Sequence, residues 1–147
     1  MIGILFWLLT LVGCGYAASL GGRDGRWAAS LIIAASLLTV PATLLGASWV
    51  RTEFSILMVD LSLLFGLYAL ALKSKRYFPV WMTGFHLIAV VTHMSTLIAP
   101  GFAPEIYRGL QSLWAVPVTL AMMWGIHLDR RGQALVHSPS KIPTQAA

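Results

Sequence analysis

Five long apolar runs separated by short polar links are the feature that most constrains how this chain folds. The runs cover residues 2–20, 27–49, 54–72, 77–99 and 106–128. Each is about 20 residues long, the length at which an α-helix crosses a bilayer hydrocarbon core of about 30 Å. The links are too short to hold a soluble domain. The sequence therefore predicts an all-α integral membrane bundle of five transmembrane helices.

The composition agrees with a chain that lies mostly in lipid. Hydrophobic residues make up 58% of the sequence and charged residues 10%, whereas about a quarter of the residues in a soluble domain are charged. A net charge of +5 is typical of nucleic-acid binding in a soluble protein. Here, however, the basic residues lie between the apolar runs and are not interleaved with aromatic residues. We expect the lipid bilayer as the principal partner and no nucleic acid.

The basic residues also predict the orientation of the bundle. Eight of the ten Lys and Arg residues fall in the first link, the third link and the C-terminal tail, and the other two, Arg51 and Arg108, lie in or beside the second and fourth links. Because basic residues concentrate on the cytoplasmic side, this split places the N-terminus outside and the C-terminus in the cytoplasm. We expect one transmembrane domain over residues 1–131. The remainder, 132–147, contains Pro, Ser and Gln and is predicted to be a disordered cytoplasmic tail.

Cys14 is the only cysteine and excludes an intramolecular disulfide. The residues LVGC at 11–14 resemble the lipobox of bacterial lipoproteins, in which the cysteine is lipidated and the preceding segment is cleaved. No Lys or Arg precedes this motif, whereas a signal peptide begins with a positively charged region. We therefore favour an ordinary first helix and keep lipidation of Cys14 as an open alternative.

Ionisable residues at depth in the predicted helices are the main candidates for function, because each is costly in hydrocarbon and must face a partner, water or the bundle interior. Seven residues make nearly two helical turns, so His86 and His93 share one face. The depth of Asp60 in the preceding helix lies between them, and the short link makes these two helices expected antiparallel neighbours. We predict a polar core formed by Asp60, His86, His93, Thr43 and Ser112.

The face of the third helix that carries Asp60 is otherwise bulky and apolar. A carboxylate is not left facing lipid, so this face is expected to be buried, either inside the bundle or against another chain. The second alternative predicts a membrane protein partner or a homo-oligomer that forms through the Asp60 face. The apolar residues on this face are Ile56, Leu57, Leu63, Leu64 and Leu67.

Three functions for the polar core stay open. A structural role, with Asp60 paired to His93 or Arg108 and His86 bonded to a hydroxyl such as that of Tyr68, fits a non-enzymatic accessory or scaffold subunit, our first expectation. An Asp with nearby histidines can also pass protons, which predicts a proton-linked or small-solute carrier. The third function is metal or haem binding, with Asp60 and His93 as metal ligands. Two histidines on one helix face cannot supply both axial ligands of a haem. Our first expectation is therefore that the protein has no cofactor.

Catalytic signatures give no support for an enzyme. The sequence contains no H-E-x-x-H, G-x-S-x-G, glycine-rich phosphate loop or C-x-x-C motif, and enzymatic activity is left as an open, secondary possibility. The segment 59–94, VDLSLLFGLYALALKSKRYFPVWMTGFHLIAVVTHM, resembles small bacterial integral membrane proteins of uncharacterised function. That resemblance implies a multi-pass protein of the bacterial inner membrane, and it implies no activity and no site residue.

Overall fold

The computed structural model describes the backbone of residues 2–45, 49–98 and 104–136, and the side chains of residues 4–41, 54–95, 98 and 113–134. Within these ranges the chain forms five α-helices and no strand, which confirms the all-α prediction. The helices are α1 (Ile2–Leu20), α2 (Gly22–Leu45), α3 (Trp49–Lys73), α4 (Phe78–Ile98) and α5 (Pro104–Val136).

The membrane prediction receives support from one helix in the described part of the chain. Phe54–Lys73 is long and apolar enough to cross a membrane, and Ile4–Leu20 is apolar but shorter. This finding supports one span and not five. The side chains at 42–45, 96–97 and 104–112, which belong to α2, α4 and α5, lie outside the described residues.

Helix α2 begins at Gly22, five residues before the predicted start at residue 27. The turn between α1 and α2 is very short, because Gly22 adopts a φ of 64° that residues with a side chain rarely take. The amide of Gly21 donates to the oxygen of Ala17 (2.8 Å), and that of Gly25 donates to Gly21 (3.1 Å). Asp24 in the first turn of α2 favours helix at this position, since its carboxylate complements the helix dipole. The link predicted between the first two runs, residues 21–26, is therefore helical from Gly22 onward.

Helix α5 ends at Val136, eight residues beyond the predicted end at residue 128. The segment 129–136, DRRGQALV, contains good helix formers and no proline, so one glycine does not stop the helix. Helix α3 likewise begins at Trp49 and not at residue 54. The predicted disordered tail is therefore helical over 132–136, and its remainder, 137–147, lies outside the described residues.

The five helices close into a ring. Each helix contacts the next along the chain, and α1 also contacts α5. The links between α1 and α2 and between α3 and α4 lie at the same end of the ring, where α5 also ends. We call this the basic end. In the described part of the chain, its basic residues are Arg23, Arg26, Lys73, Lys75, Arg76, Arg130 and Arg131.

A packed core fills the half of the ring next to the basic end. Small residues allow close approach there: a Cβ on Gly125 of α5 would collide with the Cβ of Phe78 in α4, and one on Gly13 of α1 would collide with Thr119 of α5. The buried members of the packed core include Cys14, Ala17, Ala28, Leu67, Phe78, Met82, Met122 and Ile126.

Cys14 lies within this packed core, and its side chain is 2% exposed. Helix α1 runs unbroken through it. Lipidation would require cleavage before Cys14 and would remove more than half of α1, so the position favours an ordinary first helix.

Arg76 ties together the three chain segments that meet at the basic end. Its Nη1 donates to the carbonyl oxygen of Gly21 at 2.8 Å, and its Nε lies 3.7 Å from Asp129 Oδ2, an ion pair too long for a hydrogen bond. Beside it, Ser74 Oγ donates to Asp24 Oδ2 at 2.6 Å and accepts from the amide of Arg76 at 3.1 Å. One link thus fixes the α1/α2 turn and the last turns of α5.

Replacing Arg76 with Ala is expected to lower the free energy of unfolding by about 1 to 2 kcal/mol, because it removes a hydrogen bond from a charged donor and leaves Asp129 without its counter-charge. The measurement is reversible unfolding in mild detergent, followed by circular dichroism. Arg130→Ala is the matched control, since Arg130 is an exposed basic residue at the same end. Equal stabilities for the two variants would contradict the role given to Arg76.

Candidate functional site

The site forms where α3 and α4 face each other in the half of the ring away from the basic end. Asp60 projects from α3 between the two histidines of α4. His93 Nε2 lies 2.8 Å from Asp60 Oδ2, and His86 Nε2 lies 4.0 Å from Asp60 Oδ1. His86 Nε2 is also 3.0 Å from the backbone oxygen of Asp60. The structure therefore brings Asp60, His86 and His93 together, and one residue of α3 contacts both imidazoles.

These contacts fix which ring nitrogens carry hydrogen. A backbone oxygen can only accept, so Nε2 of His86 is the donor to Asp60. A carboxylate accepts as well, so Nε2 of His93 donates to Asp60 Oδ2 whether His93 is neutral or protonated. Asp60 thereby orients both histidines through two different oxygens.

The Asp60 face of α3 is turned into the bundle. The side chain of Leu57 is 6% exposed, that of Leu67 is fully buried and that of Asp60 is 19% exposed. The bundle itself thus buries part of this face, and Ile56, Leu63 and Leu64 are half-buried. A membrane protein partner or a homo-oligomer stays a prediction without a defined surface.

The other predicted partners of the polar core are placed less favourably. Tyr68 is 54% exposed, so the hydroxyl suggested for His86 points away from the interior, and the carbonyl of Asp60 takes its place. The side chains of Thr43, Ser112 and Arg108 lie outside the described residues. Their membership of the polar core stays a prediction.

A cavity of about 420 Å³ adjoins the Asp60 site, and all five helices line it. The lining comes from residues 6–10 of α1, 32–40 of α2, 56–63 of α3, 86–93 of α4 and 115–119 of α5, so most of the cavity lies in the half of the ring away from the basic end. The packed core separates it from that end. The polar side chains in its wall are Thr10, Ser36, Thr39, Asp60, His86, His93 and Thr119.

The wall is rich in hydrogen-bond acceptors. The hydroxyl of Thr39 donates to the oxygen of Ala35, and that of Thr119 donates to the oxygen of Ala115, both at 2.9 Å. Because each hydroxyl hydrogen is bonded within its own helix, the hydroxyl oxygen can only accept a hydrogen bond from a molecule in the cavity. Asp60 is the one Asp, Glu, Lys or Arg among the described side chains that line the cavity.

The sequence did not single out the contributions of α1 and α2 to this cavity. Thr10 is 3% exposed, and Ser36 and Thr39 lie three residues apart on one face of α2. The sequence signal that could have indicated this part of the cavity wall is the helical spacing of hydroxyl residues. Such residues are common in apolar helices because they bond to their own backbone, so the spacing alone does not indicate a cavity.

The hypothesis of a metal site is supported by few candidate ligands in this geometry. Among the described residues, no group of three or more His, Cys, Asp or Glu side chains is arranged to hold a metal ion. Asp60 and His93 are bonded to each other, and His86 is directed to the backbone. His127 lines an outer groove and not the cavity. A metal or haem in the bundle stays a prediction carried by Asp60 and His93.

Comparisons with known proteins add no further assignment. No family model matches the chain, and neither the curated proteins nor the solved structures contain a significant match. The fold and site define a ring of five helices with a cavity beside a partly buried Asp–His pair.

Proposed function

We propose that this chain is a multi-pass membrane protein, with the basic end in the cytoplasm, and that it carries small cationic solutes in exchange for protons. The single observation that carries the proposal is the cavity lined by all five helices with Asp60 and His93 in its wall.

The outward surface of the ring supports a membrane setting for all five helices. Each helix exposes large apolar side chains, and soluble monomers rarely expose contiguous apolar patches beyond a few hundred Å². The helices have 19 to 33 residues, which is roughly 28 to 50 Å at 1.5 Å per residue. Basic residues gathered at one end favour a cytoplasmic position for it, in keeping with a bacterial inner-membrane location. Examples of the exposed apolar side chains are Leu8, Leu37, Phe65, Val91 and Leu120.

The chemistry of the wall supports a small cation as the solute. Asp60 supplies a negative charge, and Thr39 and Thr119 offer acceptor oxygens, which suit a ligand with several N–H donors. The rings of Phe6 and Trp7 also line the cavity, and aromatic faces attract cations. The cavity volume is within the range of about 300 to 1,000 Å³ that is usual for small-molecule sites.

Competition for Asp60 would couple the solute to protons. When His93 is protonated, the imidazolium neutralises the carboxylate 2.8 Å away and weakens the attraction for a second cation. A cation that binds Asp60 disfavours that protonated state in return, because linkage is reciprocal. Exchange of one for the other is the elementary step of an antiporter.

The accessory-subunit hypothesis rests on the apolar face around Asp60, of which Leu57 and Leu67 are buried within the single chain. It predicts that the cavity binds nothing and that Asp60 serves only to hold helices together. These predictions differ from those of a carrier in what a reconstituted protein does by itself.

The experiment that tests the proposal uses purified full-length chain in vesicles adsorbed on a solid-supported electrode. Guanidinium and methylguanidinium are suitable probes, since both stay charged and do not cross lipid unaided. Exchange of one cation for one proton moves no net charge, so the signal of a concentration jump is the transient current of the cation that enters the cavity. This transient current is expected to saturate and to be larger at pH 7.5 than at pH 5.5. The proposal fails if the currents match those of protein-free vesicles at both pH values.

A further inference from the structure

A second concave site lies on the outer surface between α4 and α5, and it shares no residue with the cavity. This groove has a volume of about 970 Å³. Trp81 and Phe85 of α4 form one wall, with ring centroids 6.4 Å apart, and Trp124 of α5 belongs to the other. Trp81 and Trp124 are 64% and 66% exposed. We call it the aromatic groove.

The aromatic groove runs along the bundle and reaches the basic end. On α5 its lining extends from Pro117 to Asp129, a length of about 18 Å at 1.5 Å per residue. This is close to the thickness of one leaflet, half of a hydrocarbon core of about 30 Å. The groove therefore has the length and polarity of an acyl chain that enters from the membrane surface at the basic end.

Charge at the mouth of the groove favours an anionic occupant. Arg130 and Arg131 directly follow the last lining residue of α5, and both are exposed. Lys75 is exposed in the link that leads into α4. The acidic group at the mouth, Asp129, is ion-paired to Arg76. The described part of the basic end contains seven basic residues and two acidic residues, Asp24 and Asp129.

We infer that the aromatic groove binds one anionic phospholipid of the cytoplasmic leaflet, with an acyl chain between Trp81 and Trp124 and the phosphate at Arg130 and Arg131. Basic pockets between transmembrane helices are typical sites for anionic headgroups. A second copy of the chain fits less well, because the same positively charged ends would be brought together. The inference uses the membrane placement proposed above and is independent of transport through the cavity.

The test is native mass spectrometry of the full chain released from detergent, after titration with dioleoyl phosphatidylglycerol or dioleoyl phosphatidylcholine. One phosphatidylglycerol adduct is expected at about tenfold lower lipid concentration than a phosphatidylcholine adduct. The double change Arg130→Gln and Arg131→Gln is expected to remove this preference, about tenfold in affinity, since basic residues near a membrane surface attract anionic headgroups.

Two controls separate a groove from general attraction to the basic end. Arg23→Gln with Arg26→Gln removes the same charge from exposed positions on α2 and is expected to leave the preference unchanged. Trp124→Ala is expected to weaken the adduct, whereas Trp27→Ala, at a 60% exposed position on α2, is expected not to. Equal binding of both lipids, or equal effects of the two arginine pairs, would overturn the inference. Loss of guanidinium currents with intact lipid selectivity would reject the carrier alone.

Discussion

Asp60→Asn is expected to abolish the guanidinium current of the reconstituted protein while the bundle stays folded. Asparagine has the same shape and can still accept the hydrogen bond from His93 Nε2, so the contact between α3 and α4 is kept. The negative charge that attracts the cation is lost. A hydrogen bond to a charged group contributes about 1.5 to 3 kcal/mol, so solute affinity is expected to fall roughly 10- to 150-fold.

Asp129→Asn is the matched control for this prediction, because it removes the same charge at the basic end and away from the cavity. Its current is expected to equal that of the unchanged protein. Monodispersity and the unfolding midpoint in detergent show whether each variant is folded. An Asp60→Asn protein that is folded and carries full current would mean that Asp60 binds no solute. The accessory-subunit hypothesis would be favoured if the unchanged protein gave no current and the Asp60→Asn protein lost its assembly state.

Gly125→Leu is expected to destabilise the bundle by about 3 kcal/mol or more, and to prevent recovery of monodisperse protein. Even a methyl group at this position would collide with Phe78 of α4, whose side chain is 1% exposed and has no room to move. Overpacking of a well-packed core costs typically about 1 to 3 kcal/mol and more for larger groups. Since α4 carries both histidines, separation of α4 from α5 is also expected to disturb the cavity.

Gly84→Leu is the control, because Gly84 is an exposed position of α4 where an added Cβ would meet no atom of another helix within 4 Å. Removal of a helix glycine is expected there to be neutral or to stabilise by up to about 1 kcal/mol. Denaturant titration in mild detergent gives the free energy of unfolding of both variants. Similar values for the two would contradict the close approach of α4 and α5.

Local patterns in the sequence were sufficient for the elements of the fold. The five apolar runs correspond to the five helices. The spacing of His86 and His93, together with the short link to the preceding helix, was enough to bring both toward Asp60. Helix ends were predicted less well, since Gly22 and the segment 129–136 depend on small local preferences that polarity does not reveal.

The cavity and the direction of the Asp60 face were decided by tertiary structure. A helical pattern states which residues share a face, but it does not state what covers that face. Covering Asp60 within one chain requires the ring to close, and this depends on contact between α1 and α5, the two helices farthest apart in the sequence. Only that closure places Thr10 and Thr119 across from Asp60 around a common space. The sequence determined the helices and the Asp–His contact through local periodicity, and long-range packing decided that they surround a cavity.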